Sequence, residues 1–393
     1  LSPERAESQL RFLTPAITLQ YGNTDPGQAY NAALFLKHML SREYGRLYQY
    51  CDIQSCLREN EYAVEFVNYY DDRTGKEQYD ALILSKGSPC PTRVRICDGN
   101  DLLLLYATGQ SIYQSGLYGF IWSKLEKEIP KGATLSFAPS GLINIINIEA
   151  AQNKAGRRAS DIWNIRRLTS TKQLCLPHPA NRSFSQAAIL GGTDDLAHTR
   201  YEADEITALM TSEDIQTKTF VGKKCTENNL KKCVNASPDI LHIAAHAFFL
   251  DNDTIPSPLQ SGLLLSGGKK VELGKTAPGN YEDNIVFSKD IAEMPLDCCR
   301  LAVLSACETG LGYISADGVS GLQQAFKQAG VQTIVVSLWK VNDMITSRLM
   351  TAFYCNLLSG MDAHSAMYAA QDHIRKIPEY SHPYYWAGFI VLD

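Results

Sequence analysis

The chain has 393 residues, of which 45% are hydrophobic and 20% charged, and its formal net charge is −5. That length accommodates two or three domains, each able to bury its own core, and with no basic stripe or block of like charges there is no electrostatic reason to expect nucleic acid or an anionic membrane as a partner. The longest apolar runs, such as 102–106 and 262–265, fall far short of a membrane-spanning helix, so a cytoplasmic protein is expected. Because the first residue is Leu1 and a polar stretch follows through Ser8, further sequence upstream is expected as well.

Residues 1–48 read as a helical lead-in. Ser2-Pro3-Glu4 is a start signal, and within 28–48 the apolar Ala29, Ala33, Leu36 and Leu40 recur at intervals of three or four. The tail of this segment is similar to the end of a superhelical repeat array. From Tyr62 onward short apolar runs alternate with turns: strands over 62–69, 80–85 and 92–96, a long helix near 111–129, and a strand at 134–137 ending in the turn Pro139-Ser140-Gly141. No nucleophile or base stands at these strand ends, and 49–185 is therefore read as a structural α/β domain.

A third segment, 186–393, opens with a strand over 187–192 and a helix over 201–211. A short strand at 217–221, a helix at 226–233 and a strand at 241–246 follow. The stretch 257–271, rich in Pro, Ser and Gly, reads as a loop around a short strand at 262–265. The remaining elements are a strand at 301–307, a helix at 319–329, a strand at 333–337, helices at 342–358 and 363–377, and a closing strand at 386–392. Alternating strands and helices predict an α/β fold with a parallel sheet covered on both faces.

Two of these strands, Leu241-His-Ile-Ala-Ala-His246 and Leu301-Ala-Val-Leu-Ser-Ala-Cys307, end on reactive side chains. Ligands of open α/β sheets lie at the carboxyl ends of parallel strands, so the two side chains could meet there. A free thiol with a pKa near 8.5 is only slightly ionised at neutral pH; a neighbouring imidazole can accept its proton and return it to a leaving amine. Cys307 is then the nucleophile and His246 the proton shuttle, with the backbone amides of Ala247 and Cys307 as oxyanion donors. Against this stands the ordinary role of cysteine as inert core filler, which covers Cys298, Cys299 and Cys355. His242 shares a strand face with His246 but reads as an interior histidine.

Eleven cysteines without a paired C-x-x-C spacing argue against zinc. An odd count in a long chain with no signal peptide argues for reduced thiols rather than a disulfide framework. No cofactor is expected.

The stretches Leu241-His-Ile-Ala-Ala-His246, Ser305-Ala-Cys-Glu-Thr-Gly310, Val336-Ser-Leu-Trp-Lys-Val-Asn-Asp343 and Pro383-Tyr-Tyr-Trp-Ala-Gly-Phe-Ile-Val391, in that order, resemble the CHAT family of caspase-like cysteine peptidases, relatives of separase. The resemblance runs from about Tyr62 to the end and includes Thr134-Leu-Ser-Phe-Ala-Pro-Ser-Gly141. It implies a caspase-like three-layer α/β/α sandwich in which a pseudo-caspase half precedes an active half, with His246 and Cys307 as the dyad. Ala247 departs from the glycine commonest in the family; it keeps the N–H donor but restricts φ. A carboxylate near Trp339 and Asp343 reads a basic residue before the cut bond in separase-like relatives; Asp343 either does this or caps the helix that follows.

The resemblance further implies a protein substrate and a regulatory partner or ligand acting through the N-terminal or upstream helical region, with bacterial relatives serving defence or cell death. The competing function is a catalytically silent caspase-like scaffold or interaction module.

Overall fold

In the computed structural model, residues 25–40, 46–114, 116–176, 183–191, 197–250, 259–268, 283–305, 312–315 and 318–393 are described. The chain divides into two units, the first built mainly from Leu1–His178 and the second from Pro179–Tyr313 and Val319–Val391.

In the first unit, helices α1 (Pro26–Leu40) and α2 (Tyr50–Cys56) precede strands β1 (Glu61–Asp71), β2 (Lys76–Ser85), β3 (Thr92–Asp98), β4 (Thr134–Ala138) and β5 (Asn164–Arg167). The sheet order is β3-β2-β1-β4-β5, antiparallel from β3 to β1 and parallel from β1 to β5. The helical spacing in the lead-in has its reason here: Ala29, Ala33 and Leu36 of α1 share one core cluster with Ala63 and Val67 of β1 and Leu82 and Leu84 of β2. Beside that apolar stripe, Lys37 Nζ lies 2.6 Å from Glu65 Oε2, while Glu65 Oε1 accepts from Thr171 N (2.8 Å) and Oγ1 (2.7 Å). Each oxygen of this buried carboxylate is thereby engaged, as burial of a charge requires.

Two sequence expectations change in this unit. The long helix near 111–129 is instead a 3-10 turn, Gly109–Gln114, and two short helices, Gly116–Phe120 and Trp122–Leu125. Gly109 takes a φ of +73°, a left-handed turn that stops the preceding helix α3 (Gly99–Ala107). The expectation of reduced thiols is corrected at one pair: Cys56, at the end of α2, is joined by a disulfide to Cys175, with Cα atoms 5.6 Å apart. A sequence separation of 119 residues hides such a pairing from any reading of local spacing.

In the second unit, strands β6 (Gln186–Gly191), β7 (Gln216–Val221), β8 (Ile240–Ala244) and β12 (Leu301–Leu304) join β13 (Thr333–Ser337) and β14 (Phe389–Leu392) in a six-stranded sheet. Its order is β14-β13-β12-β8-β6-β7, with β7 through β13 mutually parallel. The helices of this unit include α4 (Ala197–Ser212), α5 (Glu227–Val234), α6 (Leu322–Gln328), α7 (Asp343–Leu358) and α8 (Ala363–Arg375), with a further short helix at Ser288–Ala292. Leu241, His242 and Ile243 alternate across β8 and are all fully buried, so both faces of the sheet are covered. On the His242 face the cover is α4 and α7, which pack on each other. A separate antiparallel sheet, β11-β10-β9, is formed by β9 (His246–Phe249), β10 (Ser261–Leu264) and β11 (Ile285–Phe287).

Candidate active site

The centre of the six-stranded sheet fixes the candidate site. β8 and β12 are parallel neighbours with Leu304 opposite Ile243, and Ser305 N–H donates to Ile243 O at 2.9 Å. The carboxyl ends of the two strands singled out from sequence are thus side by side. His246 does not end β8, as the sequence suggested. The strand stops at Ala244, the chain bends at Ala245, and His246 is the first residue of β9, opposite Leu264 of β10. The change of sheet, invisible to a run of apolar residues, carries His246 away from the β8 axis and leaves it half-buried.

The register of β9 also fixes Ala247. Leu250 N–H donates to Gln260 O at 2.7 Å; hydrogen-bonded pairs alternate along an antiparallel ladder, so Phe248–Gly262 and His246–Leu264 belong to the same class. Ala247, opposite Leu263, falls between them, and its N–H is directed away from β10. Cys307 lies outside the described residues, which reach Ser305 on its amino side.

Beyond these strand ends lies a cavity lined by Glu202 of α4, Ala245, Ser305, and Trp339, Asp343 and Thr346 from the segment after β13. Gly191 lets α4 close over the end of β6: a Cβ there would stand 3.0 Å from Thr199 O and 3.2 Å from Ala203 Cβ. Trp339 is oriented by a hydrogen bond from Nε1 to Tyr384 O (3.1 Å), and its ring lies over Gly388, where a Cβ would come within 3.3 Å of the indole.

The two readings of Asp343 are now distinguishable in part. The cap of α7 is Asn342, whose Oδ1 accepts from Met344 N (3.1 Å) and Ile345 N (3.3 Å). Asp343 follows it as the first helical residue and lines the cavity. Asn342→Ala is expected to cost about 1 kcal/mol of stability, measurable as a lowered midpoint in urea; an unchanged midpoint would mean that the cap contributes nothing.

Beneath the cavity is a cluster that sequence reasoning did not assign. His242, fully buried, has Nδ1 3.2 Å from Tyr354 Oη. Its Nε2 is 3.1 Å from Glu202 Oε1, close enough for an ion pair but not aligned as a hydrogen bond, and neither of those two atoms has another hydrogen bond. Burial, and secondarily the Glu202 carboxyl, pushes the Tyr354 hydroxyl well above its ordinary range, so it remains a phenol. One signal was available in the sequence: Glu202 falls within the apolar stripe of Ala203, Ile206 and Met210 on α4, where a carboxyl is out of place. Among the described residues no three His, Cys, Asp or Glu side chains converge as a metal site.

A central, mainly parallel sheet covered by helices on both faces, with the candidate site at the carboxyl ends of its middle strands, defines a caspase-like α/β protein. The chain belongs to the CHAT domain family, whose pattern matches residues 112–392. It is similar to tetratricopeptide repeat protein 28 of Homo sapiens, 27% identical over 202 residues, or 47% of this chain and 8% of that protein. The Mus musculus counterpart gives 27% over 204 residues with the same shares. The chain therefore spans under a tenth of the length of the curated relatives it matches. Among solved structures, the Saccharomyces cerevisiae separase–securin complex shares the fold with a TM-score of 0.55 and 10% identity, over 93% of this chain and 33% of that one. No helix among the described residues is long and apolar enough to cross a membrane.

Proposed function

We propose that this chain is a cysteine endopeptidase with Cys307 as nucleophile and His246 as general base and acid. The observation that carries the reading is the hydrogen bond from Ser305 N to Ile243 O, which joins the ends of β8 and β12. Two residues span at most about 7 Å, so the chain's own covalent reach keeps Cys307 near that junction, three residues of chain from which stands His246.

In the first step the Cys307 thiol gives its proton to His246 and its sulfur bonds to the carbonyl carbon of the substrate peptide. The Ala247 N–H, directed away from β10, and the Cys307 N–H stabilise the oxyanion. The tetrahedral adduct collapses as His246 returns the proton to the departing amine, leaving a thioester. His246 then takes a proton from water, whose oxygen attacks the thioester, releasing the acid and restoring the thiol. A preference for a basic residue before the cut is supported by Asp343, which lines the cavity while Asn342 serves as the cap.

The first unit is proposed as the pseudo-caspase support and the second as the catalytic half. Regulation by a partner or ligand through upstream helical repeats is supported by the name of the sequence relatives, which are repeat proteins. A role in defence rests on the resemblance alone, and those relatives are mammalian.

The test is incubation of the protein with a diverse peptide library and mass-spectrometric detection of new termini. Hydrolysis that disappears in Cys307→Ala, with the circular dichroism unchanged, is the expected result. Cleavage retained by Cys307→Ala overturns the assignment.

A further inference from the structure

We propose that the Cys56–Cys175 bond is a reversible redox clasp, opened by a low-molecular-weight thiol such as glutathione, that locks α2 of the helical lead-in to the 3-10 turn Thr171–Cys175. Cys51, Cys90, Cys298 and Cys355 are exposed and free, so the fold does not rest on a disulfide framework. One bond among accessible thiols is the pattern of a bond that forms and breaks in place. Its position fits that role. Cys56 is the exposed last residue of a short helix, and Cys175 is the half-buried last residue of its turn. A dissolved thiolate therefore has access at Cys56, and neither cysteine lies within a strand that opening the bond would disturb.

The exchange balances with the thiol as its only co-reactant. A glutathione thiolate attacks the sulfur of Cys56, the S–S bond breaks, and Cys175 leaves as a thiolate that takes up the proton glutathione released on ionising. A second glutathione thiolate attacks the glutathione sulfur of the mixed disulfide and releases Cys56, which is protonated in the same way. Two electrons thus pass from two glutathiones, which end as glutathione disulfide. The open state keeps its fold because both partners have other anchors. Ile53 and Leu57 are buried in the core shared with α1, β1 and β2, Tyr50 N–H donates to Asn31 Oδ1 (2.7 Å) and Gln54 Nε2 donates to Ser85 O (3.0 Å). On the other side, Thr171 N–H donates to Glu65 (2.8 Å), and its Oγ1 lies 2.9 Å from Tyr30 Oη. The freed Cys175 thiol also has an acceptor within reach, Asp52 O at 3.3 Å from its sulfur. What the bond adds is a covalent tie across a sequence separation of 119 residues; its loss loosens α2 against the turn while the sheet β1 to β5 stays intact. Control of the upstream helical region through this tie rests on the regulation proposed above; the clasp itself does not.

The full chain is equilibrated at neutral pH in buffers of graded reduced-to-oxidised glutathione ratio, starting once from the oxidised and once from the reduced protein. Free thiols are then blocked with N-ethylmaleimide, and the Cys56–Cys175 cross-link is quantified by mass spectrometry. The expected result is full interconversion without denaturant, with the same midpoint from both directions and unchanged far-UV circular dichroism. Hydrogen–deuterium exchange on the same samples is expected to quicken on reduction by about tenfold or more over α2 and the Thr171–Cys175 turn, with β8 and β12 unmoved. Cys56→Ser is expected to exchange at the fast rate whatever the glutathione ratio; should that variant not fold, the reduced wild-type chain supplies the same comparison. A cross-link that never forms, one that yields to glutathione only after the chain unfolds, or one whose loss leaves exchange over α2 unchanged overturns the clasp. Each readout is taken without substrate or partner. Failure of the clasp therefore leaves the peptidase and regulation readings standing, and a chain that cleaves nothing still reports on the clasp.

Discussion

Replacing His246 with alanine is expected to lower kcat by about 10²- to 10⁴-fold, the range for loss of a positioned general acid–base, without a matching loss of stability. His246 opens β9 at the edge of the small antiparallel sheet and is half-buried, so its removal leaves no large core cavity. The neighbouring His242 is the control. It is fully buried against Glu202 and Tyr354, and its replacement by alanine should lower the unfolding free energy as well as activity. Paired urea denaturation and steady-state kinetics on the two variants separate a proton shuttle from a packing histidine. Equal activity of His246→Ala and wild type would remove His246 from the mechanism.

Arg167→Ala is expected to destabilise the first unit by about 3–5 kcal/mol, the cost of stripping one partner from a buried ion pair. Arg167 is fully buried. It donates to Glu149 from Nε (2.8 Å) and Nη2 (2.7 Å), and its remaining donors reach the carbonyls of Ile143 (3.2 Å), Asn144 (3.3 Å) and Ile146 (2.6 Å). Its guanidinium also lies 5.0 Å from the centre of the Phe137 ring. One side chain at the end of β5 therefore satisfies the irregular backbone after β4, a segment of 3-10 turns with few ladder bonds of its own. Removing it leaves the Glu149 carboxylate buried without its ion-pair partner and strips a donor from the carbonyls of Ile143, Asn144 and Ile146, of which Ile143 and Ile146 keep one backbone N–H each. Replacing both Arg167 and Glu149 by apolar residues should cost less than Arg167→Ala alone, because no isolated charge remains. Urea denaturation monitored by tryptophan fluorescence measures both; a loss below about 1 kcal/mol for Arg167→Ala would place the pair outside the stabilising framework.

These two predictions show where the sequence was legible. The strands β8, β12 and β13 are short buried runs bounded by turn residues, and the alternation of strands and helices in this half favours a parallel sheet, because parallel strands need crossover connections. That the ends of β8 and β12 could lie side by side was the expectation from a parallel sheet, and the strands are neighbours. What was not legible depends on contacts across long separations. Glu202 lines a cavity with Asp343 only because α4 and α7 pack on one sheet face. Arg167 reads locally as a strand-end cation and becomes a core residue only against Glu149. Likewise, nothing local marks the change of sheet between Ala244 and His246, since two apolar residues and a bend look like continued strand. The long helix expected near 111–129 failed for a local reason that apolar periodicity outweighed: Gly116 and Gly119 weaken a continuous helix there.

The central claim, that Cys307 is a nucleophile activated by His246, is tested most directly by site-resolved alkylation with iodoacetamide at pH 7. Burial holds the thiols of Cys97, Cys225 and Cys299 up at about 12 and that of Cys233 at about 11, so these four remain protonated and unlabelled. Cys51, Cys90, Cys298 and Cys355 are exposed and set the rate of an ordinary accessible thiol. Cys307 is expected to be alkylated faster than all four, and its advantage to vanish in His246→Ala. Labelling of Cys307 no faster than that of Cys51 or Cys90, or a fast rate untouched by His246→Ala, would contradict it.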